Sequence, residues 1–171
     1  MPFLTDDAWP AGLTTIFEAN RSKSLDFENE YRGVYDKLLN YCFGPDFAFY
    51  VALQTPLTTQ YLEDPDPIVF FAVFDSTSCK PVFFVQVKWD SDVDNAMSRH
   101  RADNQVRDQY DIMLEDCPLP RLWDPQAVPH SGWEDFTPTH LEGEWNTDIL
   151  SQQGFDKMKE VVNDIVNSTR G

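Results

Sequence analysis

Residues 64–90 read DPDPIVFFAVFDSTSCKPVFFVQVKWD, and no other segment constrains the architecture as tightly. Two apolar runs, 68–74 and 82–87, flank a seven-residue connection holding Asp75, Ser76, Ser78 and Pro81. That is the pattern of two adjacent buried strands joined by a turn. Side chains alternate faces along a strand, so Phe83, Val85 and Val87 share one face of the second run. Val82, Phe84, Gln86 and Lys88 are expected on the other. Folding the hairpin about its turn sets residue 68 opposite residue 88 and carries Asp66 just beyond Lys88. An acid, a carboxamide and an ammonium are thus expected to converge where the two strands end.

The flanking chain supplies helices for this hairpin. Ser24 or Asp26 can cap a helix that runs to about Cys42, with Phe27, Tyr31, Val34 and Leu38 at helical spacing and Gly44-Pro45 as its stop. Residues 47–53 are an apolar run expected as a further strand, and 54–67 form a polar connection with three prolines. A helix is expected over 93–114, with Asp92 and Asp94 at its positive end and Val106, Tyr110 and Met113 on one face. Residues 118–148 interleave prolines and glycines with Trp123, Trp133 and Trp145 and read as irregular structure. A last helix over about 152–166 carries a stripe of Phe155, Met158, Val162 and Ile165. Residues 1–23 read as a lead-in with one helical turn near 13–18, and 24–171 as a single domain. The expected class is α/β or α+β, a small mixed central sheet flanked by helices.

Composition limits what such a domain does. The 171 residues suffice for one sizeable core. Thirteen Lys and Arg against 29 Asp and Glu leave a net charge of -16. Duplex binding draws on Lys and Arg neutralising phosphates, so nucleic acid is a disfavoured partner. Cys42, Cys79 and Cys117 are odd in number and widely spaced, which suits reduced thiols better than a disulfide framework or a zinc site. The opening MPFLTDDAWPAGL has no basic stretch followed by an apolar one, and the longest apolar run is seven residues. Neither a secretory signal nor a membrane span is expected, and an intracellular location, cytoplasm or nucleus, is the default.

Several residues could carry chemistry. Glu30 belongs to the buried edge of its helix, three residues after Phe27 and four before Val34. Taken singly it reads as a paired or solvated boundary acid, Asp66 as a stiff turn between two prolines, Gln86 as a buried amide and Lys88 as an edge lysine. Their convergence is what calls for a common explanation. His130 and His140, among Glu134, Asp135, Glu142 and Glu144, match no zinc spacing and read as a solvated loop. The three tryptophans of the same segment could stack on bases, and covering an open end of the sheet is the preferred reading.

The order helix, strand, Pro65-Asp66, strand, Gln86-x-Lys88, helix resembles the PD-(D/E)XK nuclease-like superfamily, and more narrowly a group of uncharacterised fungal proteins with that core. The segments that carry the resemblance are FENEY (27–31), PDPIVFF (65–71), VFFVQVK (82–88), ADNQVRDQYD (102–111), DCPLP (116–120) and EWNTDIL (144–150). The resemblance implies a restriction-endonuclease-like αβββα core. It implies Asp66 as a metal carboxylate, Gln86 at the second ligand position, Lys88 as the catalytic lysine and Glu30 as the helix acid, with Mg2+ or Mn2+ bound if the site is active. Gln86 departs from the acidic residue of that pattern, and Asp90, two residues beyond Lys88, is the candidate substitute ligand. Gln105 and Tyr110 resemble a Gln/Tyr pair that some members place near the site, at a spacing one residue longer. A fourth core strand is not evident between 121 and 128.

Three functions compete. The leading expectation is a nuclease-like fold that has lost efficient catalysis and serves as a binding or assembly module for a protein or small-molecule partner, with homodimerisation an open option. The second is a metal-dependent phosphodiesterase or nuclease. The third is a small-molecule enzyme using Glu30 and Lys88 as an acid–base pair.

Overall fold

A computed structural model describes residues 1–21, 29–44, 46–54, 69–88, 95–114 and 147–170, with the backbone alone at 29, 30, 54, 69, 110–112 and 114. In chain order these form α1 (Pro2–Thr5), α2 (Ala11–Arg21), α3 (Asn29–Phe43), β1 (Phe49–Gln54), β2 (Val69–Asp75), β3 (Pro81–Val87), α4 (Ala96–Leu114) and α5 (Gln152–Arg170). The class is α+β. The three strands form one sheet in the order β1-β2-β3, and both pairings are antiparallel. A mixed sheet was expected; the described strands instead make an antiparallel meander. For β2 and β3 the reason is the length of their link, since a short turn can only return the chain antiparallel.

The hairpin register follows the sequence pattern. Val69 pairs with Val87, Phe70 with Gln86 and Phe71 with Val85. The register slips between Val73 and Phe74, so that Phe74 opposes Pro81. Val82 is therefore drawn into the cluster of Phe83, Val85 and Val87, instead of sharing a face with Phe84 and Gln86 as strict alternation requires. In the turn, the Asp75 carboxylate accepts a hydrogen bond from the Ser78 backbone N–H at 2.7 Å; the Ser78 side chain first, then the backbone N–H groups of Ser78 and Thr77, hold its carboxyl below the usual carboxylate range. Cys79 takes a left-handed backbone (φ 56) and closes the turn by donating its N–H to Asp75 O.

β2 is buried on both faces. Phe71 and Val73 point into the main core with Val34, Leu38, Leu39, Cys42 and Phe43 of α3 and Phe155, Met158, Val162, Ile165 and Val166 of α5. The α5 stripe read from the sequence is buried in full. Ser151 starts that helix: its hydroxyl accepts from Gly154 N at 3.0 Å. Gly154 is required there, because a Cβ would lie 2.3 Å from Asp148 O and 2.6 Å from Ile149 O.

The first 21 residues, expected as a lead-in, form two helices and contribute Phe3, Trp9, Leu13 and Phe17 to the same core. Phe3 is wholly buried against the rings of Trp9, Tyr41 and Phe155. Polar contacts fasten this segment. Trp9 Nε1 donates to Ile149 O at 2.8 Å and Lys159 Nζ to Asp6 O at 2.7 Å, while the Tyr41 hydroxyl donates to the Asp6 carboxylate.

Phe70 and Ala72 point the other way, onto α4, where Met113 meets them together with Phe74 and Phe84. The sheet thus lies between a large apolar layer and a thinner one. Among the described residues, no helix is long and apolar enough to cross a membrane.

Candidate functional site

The thinner layer contains the carboxamide of the expected constellation. Gln86 lies on β3 opposite Phe70, on the face that carries Phe84. Asn95 caps the helix above it: Asn95 Oδ1 accepts from Met97 N at 2.9 Å and Ser98 N at 3.3 Å. The described helix starts at Ala96, after Asn95, whereas Asp92 and Asp94 lie outside the described residues. Helical spacing then places Ala102, Gln105, Gln109 and Met113 on one stripe, and all four are buried. Asp103 and Arg107, one turn apart, are buried on a neighbouring flank.

Gln86 Nε2 donates to Gln105 Oε1 at 2.6 Å, a side-chain bridge from strand to helix. Gln86 Oε1 and both amide atoms of Gln109 are buried with no hydrogen-bond partner among the described residues. Leaving a buried amide group unpaired costs about 1–3 kcal/mol, so these atoms strain the layer. Gln109 is only 4% exposed, whereas Gln86 is partly exposed. The seam therefore meets solvent at its Gln86 end.

Lys88 is half-buried directly after β3. Glu30 occupies the first turn of α3, where the backbone alone is described. Asp66 and Asp90 lie outside the described residues, as do His130, His140, Trp123, Trp133 and Trp145. Tyr110, the expected companion of Gln105, has only its backbone described. Of the expected site residues, then, Gln86 and Lys88 have described side chains, and the contact that is shown joins Gln86 to Gln105. Among the described residues no group of three His, Cys, Asp or Glu is placed to hold a metal ion.

Sequence reasoning missed Gln109. The signal was its position four residues from Gln105 and four from Met113, which is the sheet-facing stripe. Reading that helix for apolar residues alone hid it.

Chemically, a pair of carboxamides supplies acceptors and donors but no proton that titrates near neutrality. Besides Asp75 in the hairpin turn, two ionisable groups among the described residues are perturbed, both at the main core. Burial, then the Asp6 hydrogen bond, pushes the Tyr41 hydroxyl up, and burial alone pushes the Cys42 thiol up. A shallow groove of about 390 Å3 beside α1 and α5 is lined by Leu4, Asp156, Lys159, Glu160 and Asn163. Its lysine is already committed to Asp6 O, which leaves little to recognise an anion.

No family model, curated protein or solved structure matches the chain.

Proposed function

We propose that this chain is a binding or assembly module on a nuclease-like core that has lost efficient catalysis. The observation that carries this reading is the hydrogen bond from Gln86 to Gln105. Gln86 stands two residues before Lys88, the position at which the resemblance implies an acidic metal ligand. A carboxamide there brings no charge, and its nitrogen is spent on a neighbouring helix. Divalent magnesium favours anionic, hard oxygen ligands, so the exchange weakens both affinity and placement of the ion. The net charge of -16 acts in the same direction by repelling phosphate backbones.

A metal-dependent phosphodiesterase is the second reading. What favours it is that Gln86 Oε1 has no partner among the described residues and remains a candidate ligand oxygen two positions before half-buried Lys88.

The test is incubation of the full chain with single- and double-stranded DNA and RNA, in Mg2+ and in Mn2+, beside Lys88→Ala. The expected result is no cleavage above buffer by either protein. Metal-dependent cleavage that disappears in both Lys88→Ala and Asp66→Ala would overturn the proposal in favour of the second reading.

A further inference from the structure

The seam between β3 and α4 holds the carboxamides of Gln86, Gln105 and Gln109, and among the described residues one hydrogen bond, from Gln86 to Gln105, ties strand to helix. Gln105 and Gln109 are four residues apart on the same helix face, which sets their Cβ atoms about 5–6 Å apart. Gln105 is tied to Gln86. What is left over among the described residues is an acceptor, Gln86 Oε1, and the complete acceptor–donor edge of Gln109.

We infer that this seam binds the flat amide edge of a small uncharged ligand. The edge is the one presented by a primary carboxamide or by an amino-substituted nitrogen heterocycle. The inference rests on the preceding reading that this notch binds and does not cleave.

Three features select that chemistry. A glutamine amide offers one donor and one acceptor side by side, which matches an edge with the same pair reversed; glutamine reads adenine in this manner. The unpaired atoms are neutral and buried, so a charged ligand would lose its hydration without gaining a counter-charge from them. Phe70, Phe84 and Met113 line the same layer, with the Phe70 and Phe84 ring centroids 5.4 Å apart, and Phe84 is only partly buried. Such a lining suits a flat, apolar-faced molecule whose polarity is confined to its rim. Entry is from the partly exposed Gln86 end.

The experiment follows the side-chain amide signals of the full chain by nuclear magnetic resonance during titration with nicotinamide in one arm and adenine in the other. Benzyl alcohol, which has the ring without the amide edge, is the control. Saturable shifts of the Gln86 and Gln109 signals are expected with at least one probe and not with the control. Affinity should fall about tenfold in Gln109→Met and in Gln86→Met, each checked for an intact fold by its thermal melt. No shift with either probe, or binding that survives both substitutions, overturns the inference. So does a high-resolution structure in which one buried water satisfies Gln86 Oε1 and the Gln109 amide while both probes are present. Each arm is run in chelator and in Mn2+ with a nucleic-acid cleavage assay alongside. Loss of the amide site without cleavage sinks this inference alone, whereas Mn2+-dependent cleavage sinks the reading beneath it.

Discussion

Gln105 and Gln109 sit one turn apart on the same buried stripe of α4, yet substituting them with methionine should move stability in opposite directions. Gln105 accepts the 2.6 Å hydrogen bond from Gln86, so Gln105→Met leaves the whole Gln86 carboxamide unpaired in the seam. That penalty is about 1–3 kcal/mol. Gln109 is 4% exposed and neither of its amide atoms has a partner among the described residues. Methionine has similar length and volume, needs no partner and adds to the Met113, Phe70 and Phe84 contacts, so Gln109→Met recovers an amide's desolvation cost of about 1–2 kcal/mol. For a chain of this size each kcal/mol moves the melting midpoint by about 2–4 °C, so the two variants should separate by roughly 4–20 °C. Thermal melts followed by circular dichroism, at one protein concentration and without added ligand, measure the difference. A Gln109→Met variant that melts as low as Gln105→Met would show that Gln109 is paired, and the reasoning about the seam would fall with it.

Phe3→Ala should cost about 3–5 kcal/mol, the range for emptying a buried aromatic site, because three rings close around Phe3; a urea midpoint unchanged from wild type would place α1 outside the core. Gly154→Ala forces a methyl group against the carbonyls of Asp148 and Ile149 and should lower stability by about 1–3 kcal/mol, read from the same denaturation curves. In a Cys117→Ser background, a thiol reagent should label exposed Cys79 in the native protein and reach buried Cys42 only on unfolding. Burial raises the folded Cys42 pKa, so its stabilising effect is complete below the unfolded value of about 8.5 and drains away as pH climbs above it. Urea midpoints on either side of that pH should therefore drop more steeply for wild type than for Cys42→Ala; equal slopes contradict the assignment.

The antiparallel hairpin was legible because two independent signals agree on it: apolar runs of matched length, and a turn rich in Asp and Ser between them. Its register followed from the same pairing, with Val69 opposite Val87. The bulge between Val73 and Phe74 was not legible, since it changes which face Val82 takes without altering the run of apolar residues that announces the strand. The α5 stripe was clear because every buried position on it is apolar. The N-terminal core was obscured by its brevity. Phe3 sits in a four-residue helix, Trp9 in the link before Pro10, and Leu13 and Phe17 in the next helix, so no single run of pattern displays the whole set. On α4 the difficulty was chemical: the sheet-facing stripe holds two glutamines, and a search for apolar spacing passes over them. Of the candidate site, the alternation along β3 correctly placed Gln86 with Phe84. The partner it meets there, Gln105, comes from an element 19 residues away, and no strand pattern can specify that contact. The proposed convergence with Asp66, Asp90 and the Glu30 side chain falls outside what the structure describes.

Calorimetric titration of the full chain with Mn2+, beside Gln86→Glu, puts the greatest strain on the view that a carboxamide has displaced a metal ligand here. Wild type is expected to show no site tighter than millimolar, and Gln86→Glu to gain affinity by restoring an anionic oxygen beside Lys88. A saturable micromolar site in wild type, lost in Asp66→Ala and indifferent to Gln86→Glu, would contradict it.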